Sequence, residues 1–221
     1  MEYISSPPLL AQLRQELQLD KRFQSVEGLD FRLARFQKGE LLIAPHKPME
    51  QFLFLARGRV NIYGLRESGS SFSVYLAGQN VLLGDMEFIR REPLPLFTEA
   101  MEEVLCVTLP MERHRAALEQ DRAFLQYLLR SASEKFLRLA LIEHPEQSLE
   151  EKLLTFLRGI QPDHTLHGIY TGTLQFHCSR AQLQRVVRKL CQEGRMRKLG
   201  KGEYQLIQGE SQYFTTTKAL P

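Results

Sequence analysis

The chain has no tryptophan, only three cysteines in 221 residues, and no long apolar run. Each shortage removes a class of protein. Cys106, Cys178 and Cys191 stand far apart without a C-x-x-C pair, which argues against a zinc ribbon and a disulfide framework and fits a reducing cytoplasm. No segment approaches the roughly 20 apolar residues of a membrane span. The opening "MEYISSPPLLAQLRQEL", with Glu2 and Arg14, does not read as a secretory signal. A soluble cytoplasmic protein with no membrane partner is expected. Excess charge is also scarce: 29 Lys and Arg against 26 Asp and Glu leave a net +3, so an electrostatic function has to come from where the charges sit. Paired carboxylates, a nucleophile with a base, and a phosphate loop are missing, so an enzyme is not expected. His164 and His167 form an H-x-x-H with His177 and Cys178 nearby. A metal site there is the alternative to unrelated side chains, but no ligands follow at zinc-finger spacing, and no metal is expected.

What is present changes character along the chain. A short helix opened by Pro7 and Pro8 runs through Leu9, Leu13 and Leu17. From about Leu29 to Leu109 the pattern is one of short strands. Phe72, Val74 and Leu76 share a face in "FSVYL", Leu105, Val107 and Leu109 share one in "VLCVTL", and glycines punctuate the strands without intervening helices. That pattern implies an all-β barrel or sandwich. From about Pro110 the pattern is helical. Between Asp121 and Glu143, Leu125, Leu129, Ala132, Phe136 and Leu139 repeat in 4-3-4-3 spacing, the seam of a coiled coil and the expected interface of a homodimer. Phe124, Tyr127, Leu128, Leu137, Leu141 and Ile142 give this helix a second apolar face for the barrel. Pro145 ends it, and Ser148 with Glu151 three residues on forms a capping box for the next helix.

The segment "HCSRAQLQRVVRKL" carries Arg180, Arg185, Arg188 and Lys189 with no acid among them. Solvated helix faces ordinarily mix their signs, so a one-signed face suggests an anionic partner. A short helical piece around Thr171 to Phe176 precedes it, His177 and Cys178 form a turn, Ser179 caps the helix, and Gly194 stops it. "RMRKLGKGEYQLI" then reads as a hairpin turning at Gly200 and Gly202. Helix, turn, helix and β wing form a winged helix-turn-helix, and the expected partner is double-stranded DNA, the alternative being a solvated basic helix with no nucleic-acid role. Ser179, Arg180, Gln182, and Gln184 or Arg185 are placed to reach base edges. Arg188, Lys189, Arg195, Arg197, Lys198 and Lys201 are available for phosphates.

Taken together, these pieces resemble the Crp/Fnr superfamily of bacterial transcription regulators over nearly the whole chain, with a pattern nearest to the YeiL-like members. The resemblance rests on "FQKGELLIAPHKPMEQFLFLARGRVNIY" with Gly39 and Gly58, on "LLGDMEFI" with Gly84, on "FTEAMEEVLCVTLPMERHRAALEQDRAFLQYLL", and on "CSRAQLQRVVRKL". It implies an α+β chain with an N-terminal double-stranded β-helix (a jelly-roll, cyclic nucleotide-binding-like barrel), a long dimerisation helix and a C-terminal winged helix-turn-helix. The expected divisions are 1–120, 121–147 and 148–221. It also implies a homodimer on a pseudo-palindromic operator, with RNA polymerase as a further partner. No N-terminal cysteine cluster supports the iron–sulfur centre that some relatives carry.

Two departures from the family pattern stand out. Its first helix usually has Leu-Ala near its start and Gly at its turn, whereas this chain has Gly172, Thr173 and His177, implying a short or irregular helix. Ala181 stands where cyclic-AMP-responsive members have a glutamate, implying a different operator. In the barrel, "GDMEFIRREPLPLFTEAMEE" is the effector region, with Gly84, Asp85, Glu87, Arg90, Arg91, Leu94, Leu96 and Phe97 as its candidates. Gly84 and Asp85 keep the family's Gly-acid pair in shortened form. Its Arg-Ser/Thr-Ala triplet falls on Leu94, Pro95 and Leu96 or one position away, with no cation for a cyclic phosphate. No cofactor is therefore expected, and cyclic AMP is not expected to bind in the usual mode. The alternatives are a rearranged loop in which Arg90 or Arg91 supplies the charge, a constitutive protein whose pocket is filled by Leu94, Leu96 and Phe97, and an apolar or peptide-like effector. A different class is a ligand-binding or scaffolding dimer whose degenerate helix-turn-helix no longer binds DNA.

Overall fold

The computed structural model describes residues 1–65, 69–142, 147–159, 161 and 163–207. The chain divides into two compact units, Met1–Leu139 and Ala140–Pro221.

The first unit begins with β1 (Glu2–Ile4), α1 (Pro7–Glu16) and a 3-10 turn at Leu19–Arg22. Strands β2 (Arg32–Phe36), β3 (Leu41–Ile43), β4 (Gln51–Arg57), β5 (Val60–Leu65), β6 (Ser71–Ala77) and β7 (Leu82–Leu83) lead to α2 (Asp85–Arg90). After β8 (Phe97–Ala100) and β9 (Val104–Pro110) come α3 (Met111–Leu118) and α4 (Arg122–Ile142), which ends in the second unit. The strands form two antiparallel sheets, ordered β1-β2-β9-β4-β7 and β3-β8-β5-β6. Phe36, Leu55, Val60, Tyr75, Val104 and Cys106 fill the interior between them. Leu33, Phe52, Phe54, Val107 and Leu109 form the other face of the larger sheet, where Leu13, Phe88, Leu118, Phe124 and Leu128 of the helices cover it. A sheet covered on both faces explains why "QFLFLA" and "VLCVTL" read as nearly continuous apolar runs.

Two sequence expectations need correction here. A helix, α2, does interrupt the strands. It follows Gly84, whose φ of +97° reverses the chain and where an added Cβ would lie 2.3 Å from Met111 Cε. In β6, Phe72, Val74 and Leu76 share a half-buried face, and the buried residues are Ser73, Tyr75 and Ala77. The register against β5 shifts between Ile62 and Tyr63, and Tyr75, opposite Ile62, supplies the ring that enters the core. Leu137, expected on the barrel face of α4, is 56% exposed, because helical spacing takes it away from the buried stripe of Phe124, Leu128 and Ser131.

The second unit contains α5 (Leu149–Gly159), β10 (Thr165–His167), α6 (Ile169–Gln175), α7 (Arg180–Gln192), β11 (Met196–Gly200) and β12 (Glu203–Leu206). Its core is Leu153, Leu157, Leu166, Leu183, Val187, Leu190 and Met196. The Ser148–Glu151 capping box is present, with Ser148 N–H donating to Glu151 Oε2 at 2.8 Å and Glu151 N–H donating to Ser148 Oγ at 3.3 Å. Strand β10, not expected from sequence, adds a third strand to the hairpin in the order β10-β12-β11. Pro145 lies outside the described residues.

One histidine in the first unit has a testable pH signature. His114, 9% exposed, accepts a hydrogen bond from Asp30 N–H through Nε2 at 3.3 Å. Burial, and then the neighbouring Arg113, hold its pKa below the ordinary 6.5. The folded chain therefore binds fewer protons here than the unfolded one, so this stabilising contribution is present above the ordinary histidine pKa and is lost as pH falls through it. Lowering the pH from 7.5 to 5 should cost the native protein more urea stability than it costs His114→Gln. Equal losses in the two proteins would sink this assignment.

Candidate nucleic-acid interface and effector region

Helix α7 is built for presentation. Ser179 Oγ accepts from Gln182 N–H at 3.2 Å, and Gln182 Oε1 accepts from Ser179 N–H at 2.9 Å, a reciprocal cap that occupies both side chains. At 3.6 residues per turn, Leu183, Val187 and Leu190 enter the core, and Ala181, Arg185, Arg188 and Gln192 face the opposite way. Arg180 and Gln184 are exposed beside them. No described carboxylate pairs with Arg180, Arg185 or Arg188, although acids stand nearby. Glu150 of α5 takes Lys189 at 2.8 Å and Arg195 at 2.8 Å, and Glu193 lies 3.7 and 3.4 Å from the same two cations. Hydrogen bonds from Lys189 first, and then Arg195, hold the Glu150 carboxyl below its ordinary range.

Two of the six residues expected at phosphates, Lys189 and Arg195, are thus turned toward α5. Lys189 falls on the flank of α7 rather than its outer face, and sequence spacing gave no warning of Glu150. Arg197 Nη2 donates to Gln205 Oε1 at 2.6 Å across the wing, and Lys198 and Lys201 are exposed at its end.

The two unusual residues of the first helix both fit. Helix α6 is seven residues long. A Cβ on Gly172 would lie 2.6 Å from Leu183 Cδ2 and 3.0 Å from Leu166 Cδ1, so glycine is what allows α6 to approach α7 this closely. His177 has φ +50°, a left-handed turn that histidine adopts more readily than most residues. His177→Val should destabilise the protein by about 1–2 kcal/mol, and His177→Gly by less, as read from thermal melting. Equal melting temperatures for the two variants would contradict the strained turn. His164 Nδ1 lies 2.7 Å from Leu157 O and His167 Nε2 lies 2.5 Å from Asp163, and no metal-binding cluster occurs among the described residues.

The effector region is arranged differently from expectation. Asp85 is 1% exposed, and its carboxylate is held by α4. Lys135 Nζ donates to Oδ1 at 2.6 Å and Oδ2 at 2.8 Å, and Ser131 Oγ donates to Oδ2 at 2.7 Å. Glu87, also buried, has its pKa raised, chiefly by burial and then by the nearby Asp85 charge. Arg90 pairs with Glu92 at 3.2 Å and Arg91 with Glu119 at 2.7 Å, both on the surface. Neither therefore supplies a cation beside Asp85. Leu94, Leu96 and Phe97 are half-buried and join neither barrel core; Phe97 instead stacks on Tyr63 at 5.0 Å. Ser131 and Lys135 escaped the sequence reading. The available signal was two polar residues continuing the spacing of Phe124 and Leu128 on a stripe that should be apolar.

On α4 the expected seam is outward: Leu125 is 41% exposed, Leu129 69% and Phe136 73%. Ala132 is half-buried, and the side chain of Leu139 lies outside the described residues. No described helix is long and apolar enough to cross a membrane.

Comparison with known proteins gives these arrangements a family context. The cyclic nucleotide-binding domain matches residues 33–121. "Regulatory protein YeiL" of Escherichia coli O157:H7 is 25% identical over 149 residues, covering 66% of this chain and 68% of that protein. The structure of FixK2 from Bradyrhizobium japonicum superposes with a TM-score of 0.68 at 14% identity, covering 80% of this chain and 93% of the other. A CooA mutant from Carboxydothermus hydrogenoformans gives 0.64 at 13% identity, covering 93% of each chain. A CRP/FNR family transcriptional regulator from Thermus thermophilus gives 0.55 at 18% identity, with 80% and 93% covered. The first unit thus matches a cyclic nucleotide-binding domain, and the fold is shared with these structures.

Proposed function

We propose that the protein is a homodimeric, sequence-specific DNA-binding transcription regulator that does not use cyclic AMP in the usual mode. The observation that carries this reading is the outer face of α7. The cap of the helix consumes Ser179 and Gln182, the local acids consume Lys189 and Arg195, and Arg180, Gln184, Arg185 and Arg188 remain exposed together. Arginine matches the two acceptors on the major-groove edge of guanine, and Gln184 offers an amide to adenine. Arg188, Arg197, Lys198 and Lys201 supply phosphate contacts, which make affinity salt-dependent without adding sequence information. The exposed Leu125, Leu129 and Phe136 support pairing with a second copy, as a two-fold operator requires. RNA polymerase is the partner through which bound dimers would act. The cytoplasm, where DNA and reduced cysteines coexist, is the compartment.

Selection of bound fragments from genomic DNA, followed by gel-shift titration, tests the DNA reading. A preferred sequence should emerge with a steep salt dependence; indifference to sequence at low salt would favour the scaffolding dimer. The effector reading has its own check. Among the described residues, the cation closest to Asp85 is Lys135, which is already engaged, and Arg90 and Arg91 are paired at the surface. Millimolar cyclic AMP or cyclic GMP should therefore leave both the melting temperature and operator affinity unchanged. A thermal shift abolished by Arg90→Ala or Arg91→Ala would make the protein nucleotide-responsive after all.

A further inference from the structure

The group at Asp85 does more than fill space. Its carboxylate opens α2, accepts from Met86 N–H at 3.0 Å, and takes Lys135 and Ser131 from a helix more than forty residues away. Lys135 Nζ also donates to Leu82 O at 2.7 Å, so this one ammonium ties β7, the start of α2 and the middle of α4 together. A carboxylate this buried is stable only while paired, and separating α2 from α4 would leave it without its cation. The same two turns of α4 carry Leu129, Ala132 and Phe136 on their outward side. The position of Asp85 is therefore coupled, through one rigid helix, to the presentation of the apolar seam.

We propose that Lys135 and Ser131 act as an internal effector. They occupy the acid of the effector region from within the chain and hold α2 on α4 in the pairing-competent arrangement without any small molecule. This rests on the DNA-binding reading above, and it supplies the physical basis for independence from cyclic nucleotides. The latch works in the first unit, which leaves the DNA-contacting residues untouched in its variants.

The test uses the full-length protein with Lys135→Met and Ser131→Ala, reading folding by circular dichroism, dimer dissociation by sedimentation, and affinity for the selected operator. Lys135→Met should lose at least tenfold in operator affinity, with a weakened dimer and unchanged binding to non-specific DNA. Ser131→Ala, which removes one hydrogen bond, should lose about three- to tenfold in the same direction; it decides the matter if Lys135→Met does not fold. A folded variant with native dimer and operator affinity would overturn the proposal and leave the contact a purely architectural one. If the native protein prefers no DNA sequence, the DNA reading fails by itself, and the dimer constant still judges the latch.

Discussion

Replacing Phe136 with glutamate should convert the protein to a monomer and abolish high-affinity operator binding. Phe136 is 73% exposed on a helix whose neighbouring turns expose Leu129 and Leu137 at 69% and 56%. Large apolar side chains grouped on one face mark a surface that is covered in the working protein. In the proposed dimer the new carboxylate would be buried against its symmetry mate without a partner, at a cost of several kcal/mol per charge. The barrel core is untouched by the change, since the residues of this helix that enter it are the buried Phe124 and Leu128. Melting of the monomer should therefore stay cooperative. Sedimentation of Phe136→Glu as an unchanged dimer would remove this seam from the account.

Arg185→Ala should weaken operator binding by about 1–3 kcal/mol and relax the preference at one base pair, if the guanidinium grips guanine in bidentate fashion. The structure isolates this effect well. Arg185 is exposed, points away from the core residues Leu183 and Val187, and makes no ion pair with a described acid, so its removal costs the fold little. Lys198→Ala provides the contrast. A phosphate contact at the end of the wing should weaken all sequences alike and flatten the salt dependence by about one unit of slope. A uniform loss from Arg185→Ala, with sequence preference intact, would move this residue into the phosphate group.

Much of the molecule was legible from local pattern, because local pattern is where helix caps, turns and amphipathic spacing are encoded. Ser148 with Glu151, and Ser179 alone, announce helix starts from neighbours along the chain, while the part of Gln182 in the second cap came only from the structure. The outward arginines of α7 and the outward leucines of α4 follow from helical period alone. Gly172 and His177, read from sequence as marks of a short or irregular helix, instead occupy positions where folding demands a missing Cβ and a left-handed turn.

Long-range pairing was not legible. Asp85 meets Lys135 across 50 residues, and Glu150 meets Lys189 and Arg195 across 39 and 45. Nothing within a window of one or two helical turns says which distant acid a given lysine will find. The register shift in β6 was hidden for a related reason: alternation fixes which residues share a face, while the pairing with β5 decides which face enters the core. The sequence by itself thus determined the helix starts, the spacing along each helix and the one-signed face of α7, since these depend on neighbours along the chain, whereas α2 and β10 went unread. Tertiary structure alone decided which cations remain free for a partner and what occupies the acid of the effector region, because a buried charge takes its state from groups brought near it only by folding.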